Sequence, residues 1–493
     1  MIAGRRFELA LATYLVLCAG CAGVVRFPAP LSTQQIDAER TLAFDTDGDG
    51  RPDYWQFAGA DGRKTALAYA LPGTATPGPR INLDDQPATD CPHLLIALDG
   101  VPFDVVADLW QQGHFRLFRP PARVVCCYPS MTDLALAELF HAGPCPGYEA
   151  LYFDRAANRL SDSSAVYLSG RSSPWLAKMS YRCSLWWDVL VYLNPRPVFA
   201  HEVQGMLRTF RGVQSGAAYA YSVGTAGLGT RGGRPAIEKY LLAIDRLCEQ
   251  LVFERRGRVK LTLTADHGHN LVANQRVSFE RRLRAAGYRV ARALHGPRDV
   301  VPIAYGLVMY AGFHTTDAPG VARCLVQDDS VEFAAYLAGD VVEIVDRAGT
   351  ARLARGAGGW RYEPGVGDPL RLNGIIARLQ RDGHVTPAGD IDDQALFQAT
   401  LKHYYPDPLA RLWRAFHDQV ENPPDVIANL RDGACHGSGF FYAMVGGRVA
   451  STHGALNARN STTFALTTLG ALPPGLRSAD VLPALDRLRT PRP

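Results

Sequence analysis

Val259-Lys-Leu-Thr-Leu-Thr-Ala-Asp-His-Gly-His269 is a β-branched, apolar run that stops abruptly at a carboxylate and two imidazoles. Residues 259–265 suit a strand buried on both faces, and the abrupt polar end marks its carboxyl terminus. Two other stretches share this form. His93-Leu-Leu-Ile-Ala-Leu98 runs into Asp99-Gly100, and Val124-Val125 leads into Tyr128-Pro-Ser-Met-Thr132. Helical periodicity fills the space around them, over Val101 to Gln112, Asp133 to Phe140 and Lys239 to Arg255. Strands alternating with helices predict an open α/β sheet, whose site lies outside the carboxyl ends of its strands.

The composition agrees with this reading. A chain of 493 residues with 47% hydrophobic residues is long enough for one large α/β domain with insertions, and argues against wholesale disorder or a polytopic membrane protein. Net charge is +4 with no Lys/Arg-rich run, so no nucleic-acid partner is expected.

The N-terminus carries an address. Arg5 and Arg6 precede the apolar stretch Leu9 to Cys18, which ends in small residues and is too short for a comfortable membrane span. Leu17-Cys-Ala-Gly-Cys21 resembles a bacterial lipobox, with Cys18 where Leu is usual. Residues 1–21 are thus expected to be a signal, and Cys21 a lipidated anchor. The membrane is then a partner, and the protein faces the periplasm from the outer membrane. Eight cysteines follow, none in C-x-x-C spacing, which speaks against a thiolate metal site. In an oxidising compartment some of them are expected to pair.

Residues 22–90 read as a polar linker to about residue 40, then an Asp-rich β segment. Asp45, Asp47, Asp49 and Asp53, with Gly50 allowing a sharp turn, fit the first nine places of a calcium loop. Gln56 at the twelfth place and the strand-like Tyr54-Trp-Gln-Phe57 speak against a helix–loop–helix. A structural calcium ion, remote from catalysis, is expected; a solvated acidic turn is the plain alternative. Residues 91–475 form the main domain. A small β insertion is expected at 330–372 and a C-terminal tail of little consequence at 476–493.

Asp99, Thr132, Asp266 and His267 are a set able to converge on one hard divalent cation. Carboxylate and imidazole suit zinc or manganese, and a hydroxyl held beside such an ion loses its proton more readily.

In this order the motifs resemble the alkaline phosphatase superfamily, in particular its nucleotide pyrophosphatase and type I phosphodiesterase branch. The likeness lies in Leu94-Leu-Ile-Ala-Leu-Asp-Gly100, Tyr128-Pro-Ser-Met-Thr132, Tyr221 to Gly233, Leu263-Thr-Ala-Asp-His-Gly-His269 and Ser451-Thr-His-Gly454. It implies a three-layer α/β sandwich around a mostly parallel sheet. It implies Thr132 as nucleophile, with Ser130 as runner-up, and Asp99, Asp266 and His267 as ligands of the metal that activates it. His453 would belong to a second metal site, whose other ligands lie in a motif like Gly-Thr-Asp-Ala-Leu-Gly-His-x-Gly-Gly. Here the chain reads Gly224-Thr-Ala-Gly-Leu-Gly-Thr-Arg-Gly-Gly233, with Ala226 in place of the Asp and Thr230 in place of the His. A single divalent ion is therefore expected, unless His269, His314 or His436 is recruited, with Arg231 or His453 helping to stabilise phosphoryl charge. The implied activity is hydrolysis or transfer at a small-molecule or lipid-headgroup phosphoester, most naturally a phosphodiester. The alternative is a catalytically degenerate lipoprotein of the same fold with a binding or structural role.

Overall fold

The computed structural model describes residue 25 and residues 27–490. The segment expected to be a signal, residues 1–21 with Cys21, lies outside the described residues. Among the described residues, no helix is long and apolar enough to cross a membrane.

The apolar runs pair as the central sheet. In spatial order its strands are Ala217–Ser222, His93–Leu98, Lys260–Ala265, Thr462–Thr467, Ala122–Val125 and Gly475–Arg477. All run parallel except Thr462–Thr467, which is reversed against both neighbours. The two-residue period of a strand sends alternate side chains to opposite faces. Leu94, Ile96 and Leu98 pack on one side with Val105 and Leu109 of helix Phe103–Gln111 and with Ile237, Leu241 and Ile244. Leu95 and Ala97 pack on the other with Leu136 and Leu139 of helix Thr132–Leu139 and Leu485 of helix Val481–Arg489. Helices on both faces make three layers, as expected of a doubly covered parallel sheet.

Sequence periodicity places the long helix too late. It begins at Gly224, not Lys239, and runs to Glu254 with a break at Gly233, whose φ of +61° lies in the left-handed region. Ala226 and Thr230 therefore sit in the first turns of a helix. Glycine in five of its first ten positions hides this start from a propensity reading, because glycine is a poor helix former. Packing supplies what propensity lacks: a Cβ at Gly227 would lie 2.4 Å from the Val191 carbonyl oxygen.

Three expectations for the periphery need correction. The polar run before residue 40 is not only linker: Ser32–Ile36 is an exposed strand paired with Glu39–Phe44. It is the edge of a five-stranded antiparallel sheet spanning residues 32–82, docked on the long helix by Lys64 and Gln56, both bonded to Glu249. The strands expected as an insertion at 330–372 do form, between Val331 and Val366, yet they are no separate module. Val331–Ala338 pairs with Val426–Leu430, and the whole belongs to an eight-stranded sheet that also contains Asp299–Ile303 and Tyr310–Thr315. Finally, the C-terminal segment is structural. Gly475–Arg477 pairs with Ala122–Val125, and Arg477 bonds Asp393 at 2.6 Å and Asp407 at 2.7 Å. Helix Val481–Arg489 then buries Val481, Ala484 and Leu485.

None of the eight described cysteines is in a disulfide; seven are buried as thiols, and Cys324 is half-buried. The pairing expected for an oxidising compartment is not made.

Candidate metal centre

Asp99 follows the central strand His93–Leu98, and Asp266 follows its parallel neighbour Lys260–Ala265 in matching register, Ala265 opposite Leu98. Both carboxylates therefore leave the sheet at the same end, as the open α/β rule requires. Thr132 is the first residue of helix Thr132–Leu139, entered from strand Ala122–Val125. The strands thus deliver three separate sequence motifs to one point.

At that point the side chains converge. The Nε2 atom of His267 lies 3.1 Å from the Thr132 hydroxyl, 3.3 Å from Asp266 Oδ2 and 3.7 Å from Asp99 Oδ1. His267 Nδ1 is 2.9 Å from the Gly268 carbonyl oxygen, an arrangement that makes Nδ1 the protonated nitrogen and leaves an electron pair on Nε2. Burial also lowers the His267 pKa to about 4, so the ring is neutral near pH 7 and its approaches to the two carboxylates are not ion pairs.

The carboxylates are half-satisfied in a telling way. Asp266 Oδ1 accepts from the backbone N–H groups of Gly100 at 2.9 Å and His267 at 2.7 Å. Asp99 Oδ2 accepts from the Tyr221 hydroxyl at 2.6 Å. The remaining oxygens, Asp99 Oδ1 and Asp266 Oδ2, are buried without a protein hydrogen-bond partner. Burial, and for Asp99 also the charge of Asp266, raises both pKa values, that of Asp266 to about 7. Two carboxylates keep their charges in so dry a place only beside a cation.

The residues fit such a cation. Ligand atoms of Asp99, Asp266 and His267 all lie within 4.8 Å of one another. Tetrahedral zinc with N and O ligands at ~2.0–2.2 Å places neighbouring ligand atoms about 3.3 Å apart, close to the spacings around Nε2. The Thr132 hydroxyl completes a set of four.

The other half of the centre is built differently. Ala226 and Thr230 are buried where the resemblance expects ligands. His453 stacks on His267 with ring centroids 3.9 Å apart, and its Nδ1 lies 2.7 Å from the Ser130 carbonyl oxygen. His269 stands 5.3 Å from His453, its Nδ1 is 3.0 Å from the Ser451 hydroxyl, and its Nε2 has no partner. Burial and the neighbouring imidazoles depress the His269 pKa well below the ordinary value. Among the described residues no group of three metal-type side chains forms around His453.

The other candidates fall away from the centre. Ser130 is fully buried; its hydroxyl donates to the Ala455 carbonyl and accepts from the Gly454 N–H, both at 3.1 Å. It is a strut between loops, not a nucleophile. Arg231 is exposed and donates to the Val445 carbonyl at 2.6 Å, so the stabilising role expected of it has no support in the geometry. His314 packs against Phe153, and His436 packs beside Phe279 and Phe313; neither is recruited.

Several residues of the site were not singled out from sequence. Besides Tyr221, Thr225 donates to the Asp99 carbonyl oxygen. Glu202 is fully buried and accepts from the N–H groups of Val223 at 2.8 Å and Gly224 at 3.0 Å, which pins the start of the long helix. Burial raises its pKa to about 7. Asp133, next to Thr132, takes the Trp175 indole N–H at 2.9 Å, and burial raises its pKa to about 6. The lone signal in sequence is the place of Tyr221 at the end of a strand, opposite Ala97.

The Asp-rich segment forms the loop of a hairpin between strands Glu39–Phe44 and Tyr54–Ala58. Asp45, Asp47 and Asp49 point ligand atoms together, while Asp53 turns to the Thr46 N–H at 2.9 Å. Asp45 accepts from Gly48 at 2.6 Å and Gly50 at 2.8 Å, and these backbone donors, Gly50 foremost, lower its pKa.

Fold and geometry together define a mixed α/β protein with a buried carboxylate–imidazole–hydroxyl centre at the carboxyl ends of its parallel strands. No family model and no curated protein matches the chain. Among solved structures it is similar to murine ectonucleotide pyrophosphatase / phosphodiesterase 5, with 12% identity and a TM-score of 0.43 over 81% of this chain and 96% of that one. It is similar also to phosphonoacetate hydrolase from Sinorhizobium meliloti 1021, in complex with phosphonoformate, with 13% identity and a TM-score of 0.41 over 83% and 98%. The human form of the first protein gives 11% identity and 0.43 over 81% and 96%. At these scores the likeness is loose, and the roles assigned below rest on the residues of this chain alone.

Proposed function

We propose that the protein is a metal-dependent phosphoester hydrolase or transferase that uses Thr132 as nucleophile at a single metal site. The carrying observation is that two unpartnered acceptors, Asp99 Oδ1 and Asp266 Oδ2, converge on His267 Nε2, which itself meets the Thr132 hydroxyl at 3.1 Å. A zinc or manganese ion held there would supply the Lewis-acid charge that lowers the hydroxyl pKa.

Asp99, Asp266 and His267 hold the centre, and Tyr221 fixes the orientation of Asp99. The Thr132 hydroxyl gives up its proton to solvent as its Oγ attacks phosphorus, the ester P–O bond breaks, and the leaving oxygen takes a proton from solvent. Water or another acceptor hydroxyl then attacks the phospho-Thr132, whose Oγ–P bond breaks and whose hydroxyl regains its proton. Thr132 opens an eight-residue helix, so the positive end of that helix faces the phosphoryl oxygens. The preferred substrate is a phosphodiester, as a small molecule or a lipid headgroup.

The test is turnover of bis(nitrophenyl) phosphate against nitrophenyl phosphate and nitrophenyl sulfate, with zinc, manganese and calcium in turn. Fastest turnover of the diester with zinc or manganese supports the reading. Metal bound without any turnover would favour a degenerate binding protein, to which the missing ligands at Ala226 and Thr230 also point. The accompanying proposals are lipid anchoring at Cys21, placement in the bacterial envelope, and a calcium ion at Asp45, Asp47 and Asp49. A Cys21→Ser chain is expected to leave the membrane fraction, and its retention there would remove the anchor.

A further inference from the structure

Away from the metal centre, a cavity of about 260 Å³ lies between the strand that leads to Thr132 and helix Pro408–His417. Its wall includes Cys127, Glu138, Arg411 and Gln419. Gln419 is 6% exposed, and neither its Oε1 nor its Nε2 has a hydrogen-bond partner in the protein. Arg411 is 5% exposed, and its Nε–H also has no acceptor. Donors and acceptors so placed carry a penalty that a polar occupant removes.

The charge of Arg411 points the same way. Its terminal nitrogens donate to neutral oxygens only: Pro406 O at 2.8 Å, Cys127 O at 2.9 Å, Leu456 O at 3.1 Å and Ser461 Oγ at 2.5 Å. Among the described residues it is the one buried arginine, and it forms no ion pair with any of them. The acids of the wall are already engaged, Glu138 by Arg414, and Asp393 and Asp407 by Arg477. Arg355, exposed at the rim and lying over the rings of Trp360 and Trp413, adds a cation that also forms no ion pair among the described residues. A buried guanidinium without a counter-charge is unfavourable, and an anion beside it reverses that.

We propose that this cavity binds a protonated oxyanion of the phosphate class, as hydrogen phosphate or the head of a small phosphomonoester. Its oxygens accept from Arg411 Nε–H and Gln419 Nε2–H, and its P–OH donates to Gln419 Oε1. The P–OH is what separates phosphate from sulfate or a carboxylate, which at neutral pH have no proton to give to that carbonyl. The site is independent of the chemistry proposed at Thr132.

The experiment is calorimetric titration of inorganic phosphate into the full-length chain after chelation, which removes the cation that phosphate would need at Thr132. One phosphate per chain is expected, with sulfate weaker by about tenfold or more, the weight of one lost hydrogen bond. Gln419→Met removes no hydrogen bond made within the protein, so the fold is expected to persist while phosphate affinity falls about tenfold or more. Arg355→Gln, at an exposed position that forms no ion pair among the described residues, is expected to weaken binding about threefold and gives a second variant. Phosphate should also raise the melting temperature of the parent chain and not that of the Gln419→Met chain. The proposal is overturned if the chelated chain binds no phosphate, if Gln419→Met and Arg355→Gln both bind it as the parent does, or if sulfate binds equally well.

Discussion

The two halves of the centre lie side by side, joined by the stack of His267 on His453, yet they are opposite in chemistry. On one side Asp99 and Asp266 each present an unpartnered oxygen beside the Nε2 atom of His267. On the other, Ala226 contributes a methyl group, and His269 and His453 are tied to Ser451 and Ser130 in a stack of imidazoles. Convergence of acceptors asks for a cation; imidazoles tied back by neighbouring oxygens do not. Burial alone therefore does not make a metal site: two carboxylates converge on one side, whereas on the other the unpartnered Nε2 of His269 belongs to no group of three metal-type side chains among the described residues.

The largest effect that tests this contrast is loss of the nucleophile. Thr132→Ala should lower turnover of bis(nitrophenyl) phosphate by at least about 1,000-fold while metal content is kept; an unchanged rate removes Thr132 from the mechanism. Next is the ligand set: Asp266→Asn should reduce zinc or manganese retained through dialysis to background, measured by elemental analysis, and the parent should retain a single such ion per chain besides any calcium. Two tightly held zinc or manganese ions would show that the imidazole side binds metal after all. Tyr221→Phe should weaken metal binding by about 10–100-fold, because a hydrogen bond that orients a ligand is lost without the ligand itself. The smallest effect concerns stability. The Glu202 pKa is raised to about 7 from an ordinary 4.5, so the folded state keeps a proton that the unfolded state sheds. Stability should then fall as pH rises from about 4.5 to about 7, by on the order of 3 kcal/mol. Urea melts of Glu202→Gln should show a flatter profile across that window; an identical slope would absolve Glu202.

The part of the centre that bears charge was legible in the chain. Each of Asp99, Asp266 and His267 closes an apolar strand, and a strand's end is written in hydropathy. Ala226 and Thr230 were legible as departures, because the glycines around them keep the register of the resembling motif. Tyr221 and Glu202 were not: each acts through a partner distant in sequence, Asp99 and the Val223–Gly224 backbone, and neither residue type announces such a contact. The extent of the second sheet was equally hidden. Val426–Leu430 pairs with both Tyr310–Thr315 and Val331–Ala338, and pairing at that distance along the chain leaves no local pattern. The C-terminal segment misled because its prolines read as a loose end, whereas three residues beside the nucleophile strand and one arginine make it part of the sheet.

That last strand has a consequence for the order of assembly. Synthesis delivers the chain from the N-terminus, and the strand that leads to Thr132 emerges with its outer edge open. Gly475–Arg477, which covers that edge, is made about 350 residues later. Until then the backbone of Ala122–Val125 stands as an unguarded template for any extended neighbour. A chain that stops before Gly475 would thus hold every side chain of the candidate centre and still be prone to join its own kind edge to edge.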